Sequence, residues 1–218
     1  MSDAAVDGIV LAAGRGERLG LGPKAWLTLG GRTLLERAVT TMRVVADRVT
    51  VGVALGDVER ARAVCGADAR VVAGGATHRE TMVAAFRAGS APWVLVHDVA
   101  HPFLTPDLAR GVIDAARAGS AAVAAVPEAA SAYHTPRDGV RVRLGPGTVW
   151  LVRRPFGCRR ADFARVVDSV ASEDGLSVLL ERVGVHTQLV PAPPWHIKVT
   201  TAEDWLLAQA IELQLRPG

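Results

Sequence analysis

The sequence predicts an α/β fold: a mostly parallel twisted sheet with helices on both faces, plus a projecting β-arm. Three observations carry this. Short β-branched runs alternate with segments of helical apolar spacing as far as residue 126. The run at 93–97 is continuously apolar, as expected of a strand covered on both faces. After Pro127 the rhythm breaks into short extended pieces around turn residues, which reads as an arm at about 128–147.

The elements follow in order. Residues 9–13 read as a buried strand. Residues 33–45 read as a helix with Leu34, Leu35, Ala38, Val39 and Met42 on one side. A strand at 49–54, a short helix at 59–64 and a strand at 70–73 come next. Residues 78–88 are helical, with Met82, Ala85 and Phe86 on one face, and 93–97 form a strand. The helix at 105–118 opens on Thr105 as cap and Pro106 in its first turn. A strand at 121–126 closes this half. Within 133–144, Arg137-Asp138-Gly139-Val140 is a turn signal between extended pieces. Gly145-Pro146-Gly147 ends the arm, and 148–152 can re-enter the sheet. Helices at 160–170 and 176–182 follow, the second stopped by Gly184. A strand at 186–190 precedes a last helix at 201–215, with Thr201 as N-cap and Glu203 and Asp204 where the helix dipole favours acid. With 218 residues and no repeat, linker or low-complexity stretch, the expectation is one domain over 1–218.

Composition excludes several function classes. A net charge of +3 without a Lys/Arg run or an aromatic-basic stripe argues against a nucleic-acid partner. No apolar run reaches the roughly 18 residues that span a bilayer, so no membrane association is expected. The short acidic stretch 1–7 lacks the basic start and apolar core expected of a signal peptide. Cys65 and Cys158 are far apart and in no metal spacing, so no disulfide framework is expected and a reducing cytoplasm is the default.

Chemistry concentrates after the first strand. Residues 14–24 hold four glycines with Arg15, Arg18, Pro23 and Lys24 among them. Glycine allows positive φ and close backbone approach, so a row of amides can face one anion, and Arg18 and Lys24 add fixed positive charge. Such a loop suits a polyphosphate. It is not the dinucleotide fingerprint, because Gly14-x-Gly16-x-x-x-Gly20 places the third glycine one position late and Pro23 interrupts the helix that should follow. Nor is it a Walker loop, since Ala25 rather than Ser or Thr follows Lys24. An ordinary turn with solvated charges is the plainer alternative.

Three further stretches carry candidates. Asp98 follows the fourth strand, where a carboxylate can hold Mg²⁺ beside a triphosphate; capping of the next turn is the structural alternative. His97 and His101 are four apart, but the chain leaves a strand toward Pro102, so a zinc pair on one helix face does not follow. Gly74-Gly75-Ala76-Thr77 permits close approach to a base or sugar, and Thr81 can meet a base edge. Lys198 is a mobile charge suited to phosphate just before the last helix.

In these residues the chain resembles the 2-C-methyl-D-erythritol 4-phosphate cytidylyltransferase family of sugar-nucleotide-type nucleotidyltransferases. Leu11-Ala12-Ala13-Gly14-x-Gly16-x-Arg18-Leu19-Gly20 with Pro23-Lys24 is similar to the family's N-terminal signature. Gly74-Gly75-Ala76-Thr77 with Thr81 resembles its cytidine segment, His97-Asp98-Val99-Ala100-His101-Pro102 its His-Asp-Ala-Ala-Arg-Pro, and Ile197-Lys198-Val199-Thr200 its Ile-Lys-Val-Thr. The resemblance implies a nucleotide-diphospho-sugar transferase-like fold. It also implies Mg²⁺-dependent cytidylyl transfer from CTP to a phosphorylated polyol and a homodimer joined through the arm. It assigns catalysis to Arg18, Lys24 and Lys198. Nucleotide binding falls to Ala12, Ala13, Gly14, Arg15, Gly16, Gly74, Gly75, Ala76 and Thr81, and acceptor binding to Asp98, His101 and Arg154, with Asp98 also the metal ligand.

The departures gather on the acceptor side. The family's arginine after the aspartate is His101, and its cytidine-segment arginine is His78 with Arg79 adjacent. Its arm arginine aligns with Pro146, its Thr-Pro-Gln becomes Arg154-Pro155-Phe156, and Pro127-Glu128-Ala129-Ala130-Ser131-Ala132-Tyr133 lacks the family's Thr and Lys. Ser172-Glu173-Asp174-Gly175-Leu176-Ser177 matches only with an insertion. Arginine forks hold a phosphate dianion best. Arg141, Arg143, Arg153 or Arg154 can substitute from new positions. Otherwise the acceptor is another one, such as ribitol 5-phosphate or a sugar phosphate, or the chain binds nucleotide without turnover.

Overall fold

The computed structural model describes residues 5–136, 139, 141–169 and 175–215. The chain opens with β1 (Val6–Leu11), a 3-10 turn at Lys24–Trp26 and a small hairpin of β2 (Thr28–Leu29) and β3 (Arg32–Thr33). Then come α1 (Leu34–Arg43), β4 (Arg48–Val53), a second 3-10 turn at Leu55–Asp57, α2 (Val58–Cys65), β5 (Ala69–Ala73) and α3 (His78–Arg87). Next are β6 (Trp93–Asp98), α4 (Pro106–Gly119), β7 (Ala121–Pro127), the arm strands β8 (Ala132–His134) and β9 (Val142–Leu144), and β10 (Trp150–Arg159). Helices α5 (Arg160–Ser169) and α6 (Leu176–Arg182), strand β11 (Thr187–Pro191) and helix α7 (Ala202–Leu215) complete the order.

Seven strands form one sheet in the order β11-β7-β10-β6-β1-β4-β5. All pairings are parallel except those of β10, which runs antiparallel to both β6 and β7. The predicted α/β architecture is therefore present, with one strand reversed. The arm is a separate pair, β8 against β9, with Tyr133 and Val142 exposed. Of its predicted turn, Arg137, Asp138 and Val140 lie outside the described residues, as do Val170 and Ser172-Glu173-Asp174.

Burial explains the layers. Along β1 the side chains alternate: Val6 and Val10 pack on one face with α1, α2, α4 and α7, and Ile9 and Leu11 on the other with α3, α5 and α6. Phe86 of α3 stacks on Phe163 of α5 at 4.5 Å between ring centres. Capping boxes close α1 (Thr33 with Glu36) and α3 (Thr77 with Glu80), and Thr105 caps α4. Among the described residues no helix is long and apolar enough to cross a membrane. Cys65 and Cys158 are buried free thiols.

Two differences from the sequence expectation have clear causes. The sequence suggests re-entry to the sheet only over 148–152, but β10 continues to Arg159. Its apolar pattern is broken by Arg153-Arg154-Pro155, and the pairing with β7 shifts register between Val152 and Phe156. Such an irregularity is where a sheet tolerates proline. Asp7 ends the acidic stretch of the N-terminus, yet it lies within β1 and is 3% exposed. Its carboxylate accepts from the Ala91 amide and from Arg160, each at 2.6 Å.

Candidate active site

A cleft of about 870 Å³ opens at the carboxyl ends of β1, β4, β5 and β6, the edge where open α/β sheets take ligands. The glycine loop forms its centre. Gly16 sits at φ +69°, and a Cβ there would fall 2.1 Å from the Gly22 carbonyl oxygen, so no side chain fits. The Gly16 carbonyl accepts from the amides of Leu19 and Gly20, and buried Leu19 pins the loop to the core. Ala13, Gly14, Arg15 and Gly16 all line the cleft. No acceptor among the described residues takes their amides, which leaves a row of donors for an anion. Ala12 does not join them. It is 2% exposed, and its amide is spent on the Gly52 carbonyl as an extension of the β1–β4 pairing.

Charge surrounds the loop. Arg18, Lys24, Asp98 and Lys198 share the one cleft. The Lys24 ammonium donates to the Val199 carbonyl at 2.8 Å. Burial lowers the Lys24 pKa from the usual lysine range; Lys198 and Arg18 push the same way, and Asp98 and Asp204 oppose. Asp98 ends β6 as the register partner of Leu11, the residue before the loop begins. One carboxylate oxygen accepts from the Ala100 amide at 2.9 Å, so Asp98 also caps the turn. Among the described residues no three His, Cys, Asp or Glu side chains converge to cage a metal. A single half-buried carboxylate fits Mg²⁺, which takes one or two carboxylates and completes its shell with phosphate oxygens and water.

The segment after β5 lines the far end. Gly74 and Gly75 are required by helix packing: a Cβ on Gly74 would meet the Thr81 hydroxyl at 2.5 Å, and one on Gly75 would meet Glu80 at 2.3 Å. Ala76 faces the cleft, but its amide is taken by the Glu80 carboxylate at 2.6 Å. Thr81 is 2% exposed and donates its hydroxyl to the Thr77 carbonyl. Arg79 turns away, bonding the carbonyls of Val166 and Val167.

The acceptor side is where expectation and structure part. His101 does not line the cleft; it is 3% exposed. It packs between His97, with ring centres 6.1 Å apart, and His196, at 5.8 Å. Apolar packing draws a neutral imidazole inward where a charged arginine would have to stay at the surface. Burial disfavours the charged form of all three, holding His97 down to about 3 and His101 well below the usual imidazole value; His196 adds to the shift of both His97 and His101, and Arg153 to that of His196. His196 Nε2 donates to the backbone carbonyl of Arg154, which places the ring proton on that nitrogen. Arg154 itself lines the cleft, half-buried. Arg143 bonds Ser131 on the arm, and Arg153 bonds the Val152 carbonyl.

Sequence reasoning missed Ala54, Leu55 and Glu17, which also line the cleft. The signal for the first two was available: they directly follow β4, and the carboxyl ends of neighbouring strands share a ligand crevice.

The chain is also similar to known proteins along nearly its whole length. Residues 6–214 match the family model described as IspD, 2-C-methyl-D-erythritol 4-phosphate cytidylyltransferase. The chain is 34% identical over 209 residues to the Deinococcus radiodurans protein of that name, covering 93% of this chain and 88% of the relative. It is 35% identical over 209 residues to the Thermus thermophilus protein, covering 93% and 95%. A crystal structure of the Thermus thermophilus cytidylyltransferase superposes with a TM-score of 0.78 at 29% identity, over 97% of this chain and all of that one.

Proposed function

Since the chain belongs to the 2-C-methyl-D-erythritol 4-phosphate cytidylyltransferase family, we propose that it moves the cytidylyl group of CTP onto 2-C-methyl-D-erythritol 4-phosphate and releases pyrophosphate. The observation that carries this reading is the shared cleft of Arg18, Lys24, Asp98 and Lys198 beneath the unpartnered amides of Ala13 to Gly16. A triphosphate lies along those amides with Arg18 and Lys24 on its oxygens. The acceptor's phosphate oxygen attacks the α-phosphorus in line; that bond forms as the bond to the β-phosphate oxygen breaks and pyrophosphate leaves. A phosphate oxygen is already anionic, so no base is needed and catalysis is positioning plus charge stabilisation. Arg18 and Lys24 stabilise the charge on the leaving pyrophosphate. Lys198 lies between donor and acceptor phosphates. Asp98 would hold Mg²⁺, which would supply positive charge against the phosphate oxygens. Gly74, Gly75, Ala76 and Thr81 shape the end that receives the cytosine.

In this reading residues 1–218 are a single domain working in isoprenoid biosynthesis in the cytoplasm, as a homodimer joined through the arm. The burial of His101 favours a second reading, in which the acceptor is another phosphorylated polyol such as ribitol 5-phosphate, or a sugar phosphate. Pyrophosphate release tests both, with CTP, UTP and ATP each offered against these acceptors. The expected result is turnover with CTP and 2-C-methyl-D-erythritol 4-phosphate. Calorimetric binding of CTP without turnover on any acceptor would make the protein a nucleotide-binding paralogue instead.

A further inference from the structure

We infer that His196 is a positioning residue for Lys198, setting where that lysine enters the cleft through its own bond to β10; this rests on the nucleotidyl-transfer reading above. Lys198 has no regular element to hold it. Residues 192–200 form neither helix nor strand, and the Lys198 side chain is exposed at the cleft wall on a flexible stem. Its surroundings push it away, because the ammonium groups of Lys24 and Lys198 repel each other. Where Lys198 stands is therefore set by the anchors of its backbone.

Two anchors flank it. On one side the Val199 amide donates to the Ala100 carbonyl at 2.7 Å, and the Val199 carbonyl accepts from Lys24. On the other, the ring of His196, 0% exposed, donates from Nε2 to the carbonyl of Arg154. This second anchor falls where the sheet leaves β10 unpaired. Among the described residues Arg153, Arg154 and Pro155 have register partners on neither β7 nor β6, and a proline has no amide to give. The ladder does not fix this stretch, and the imidazole supplies a bond in its place. The ring is itself held. It stacks on His101 with 27° between the planes, and Trp195 before it meets Phe103 edge-on at 6.4 Å. A buried ring two residues before Lys198 thus joins the segment to β10, while Val199 joins it to the turn after β6. A misplacement of about 1 Å in a group that meets phosphate costs about 10²-fold in rate, so the His196 bond bears on the chemistry as well as on the fold.

The test removes the donor and keeps the ring's volume. His196→Phe retains an aromatic plane against His101 and loses the Nε2 hydrogen. His196→Gln places an amide donor at a similar reach. The expected result for His196→Phe is an acceptor kcat/KM lowered about 10²-fold, with CTP still bound by calorimetry, which shows that the variant is folded. His196→Gln recovers most of the loss. A residue that acts through Lys198 also gives a non-additive cycle, so His196→Phe should add little further loss in a Lys198→Gln background. Wild-type kcat/KM in His196→Phe, equal losses in His196→Phe and His196→Gln, or losses that multiply in the double variant overturn the inference and leave the transferase reading standing. Should His196→Phe not fold, His196→Asn takes its place, its amide one methylene short of the Arg154 carbonyl. Should the wild type turn over no acceptor, the transferase reading fails, and calorimetric titration with inorganic tripolyphosphate decides on His196. Binding weakened in His196→Phe and recovered in His196→Gln supports the positioning role; equal binding by all three, or none by the wild type, overturns it.

Discussion

The ammonium of Lys24 is bonded to the carbonyl of Val199 at 2.8 Å, across 175 positions of sequence. That bond ties the end of the glycine loop to the segment carrying Lys198, and it holds the Lys24 charge in place before any ligand arrives. Preorganised charge of this kind stabilises a transition state without reorganisation during the reaction.

Lys24→Ala is expected to lower turnover with CTP by about 10²–10³-fold, measured as pyrophosphate release. The pH profile provides a finer check. Burial lowers the Lys24 pKa, with Lys198 and Arg18 adding to it, so the alkaline limb of kcat/KM should fall at lower pH than a free lysine would set. Lys198→Gln removes a positive neighbour and should move that limb to higher pH, whatever it does to the rate. A limb that does not move in Lys198→Gln would assign the titration to another group.

Two neighbouring glycines should respond differently. Gly16→Ala combines φ +69° with a Cβ 2.1 Å from the Gly22 carbonyl oxygen, so the loop must rearrange and CTP binding should be lost by calorimetry. Gly14 has no atom within 4 Å of an added Cβ and needs no positive φ. Gly14→Ala should keep the unliganded protein's melting temperature and weaken CTP binding only by crowding the cleft.

Buried Asp7 pairs with half-buried Arg160, remote from the cleft. Arg160 also donates to the carbonyls of Ala91 at 2.5 Å and Phe86 at 3.0 Å. Asp7→Asn leaves this guanidinium without its counter-charge and should cost about 1.5–3 kcal/mol, read by urea unfolding. The nucleotide affinity of the folded fraction should be unchanged.

The histidine cluster predicts acid sensitivity. His97 is held down to about 3 by burial, while in the unfolded chain it takes a proton near 6.5. Between these values the unfolded state binds the extra proton, so stability falls as pH drops through that window, by up to about 1.4 kcal/mol per pH unit for this group. His101 and His196 are shifted in the same direction. Above the window nothing is lost. His97→Gln should flatten the slope of unfolding free energy against pH between about 6 and 4, even if it lowers the level.

The sequence alone determined the element order, because hydrophobic period and caps such as Thr33, Thr77 and Thr105 are local signals. It also marked the glycine loop, Asp98 and Lys198, since each sits where a strand or loop meets the edge that carries ligands. It took the three-dimensional fold to show that Ala12 gives its amide to Gly52, that His101 turns inward to His196, and that β10 runs on past Pro155 with Arg154 lining the same cleft as Asp98. Those outcomes depend on partners 40 to 95 positions away, and no local pattern of residues records which distant group a side chain or amide will meet.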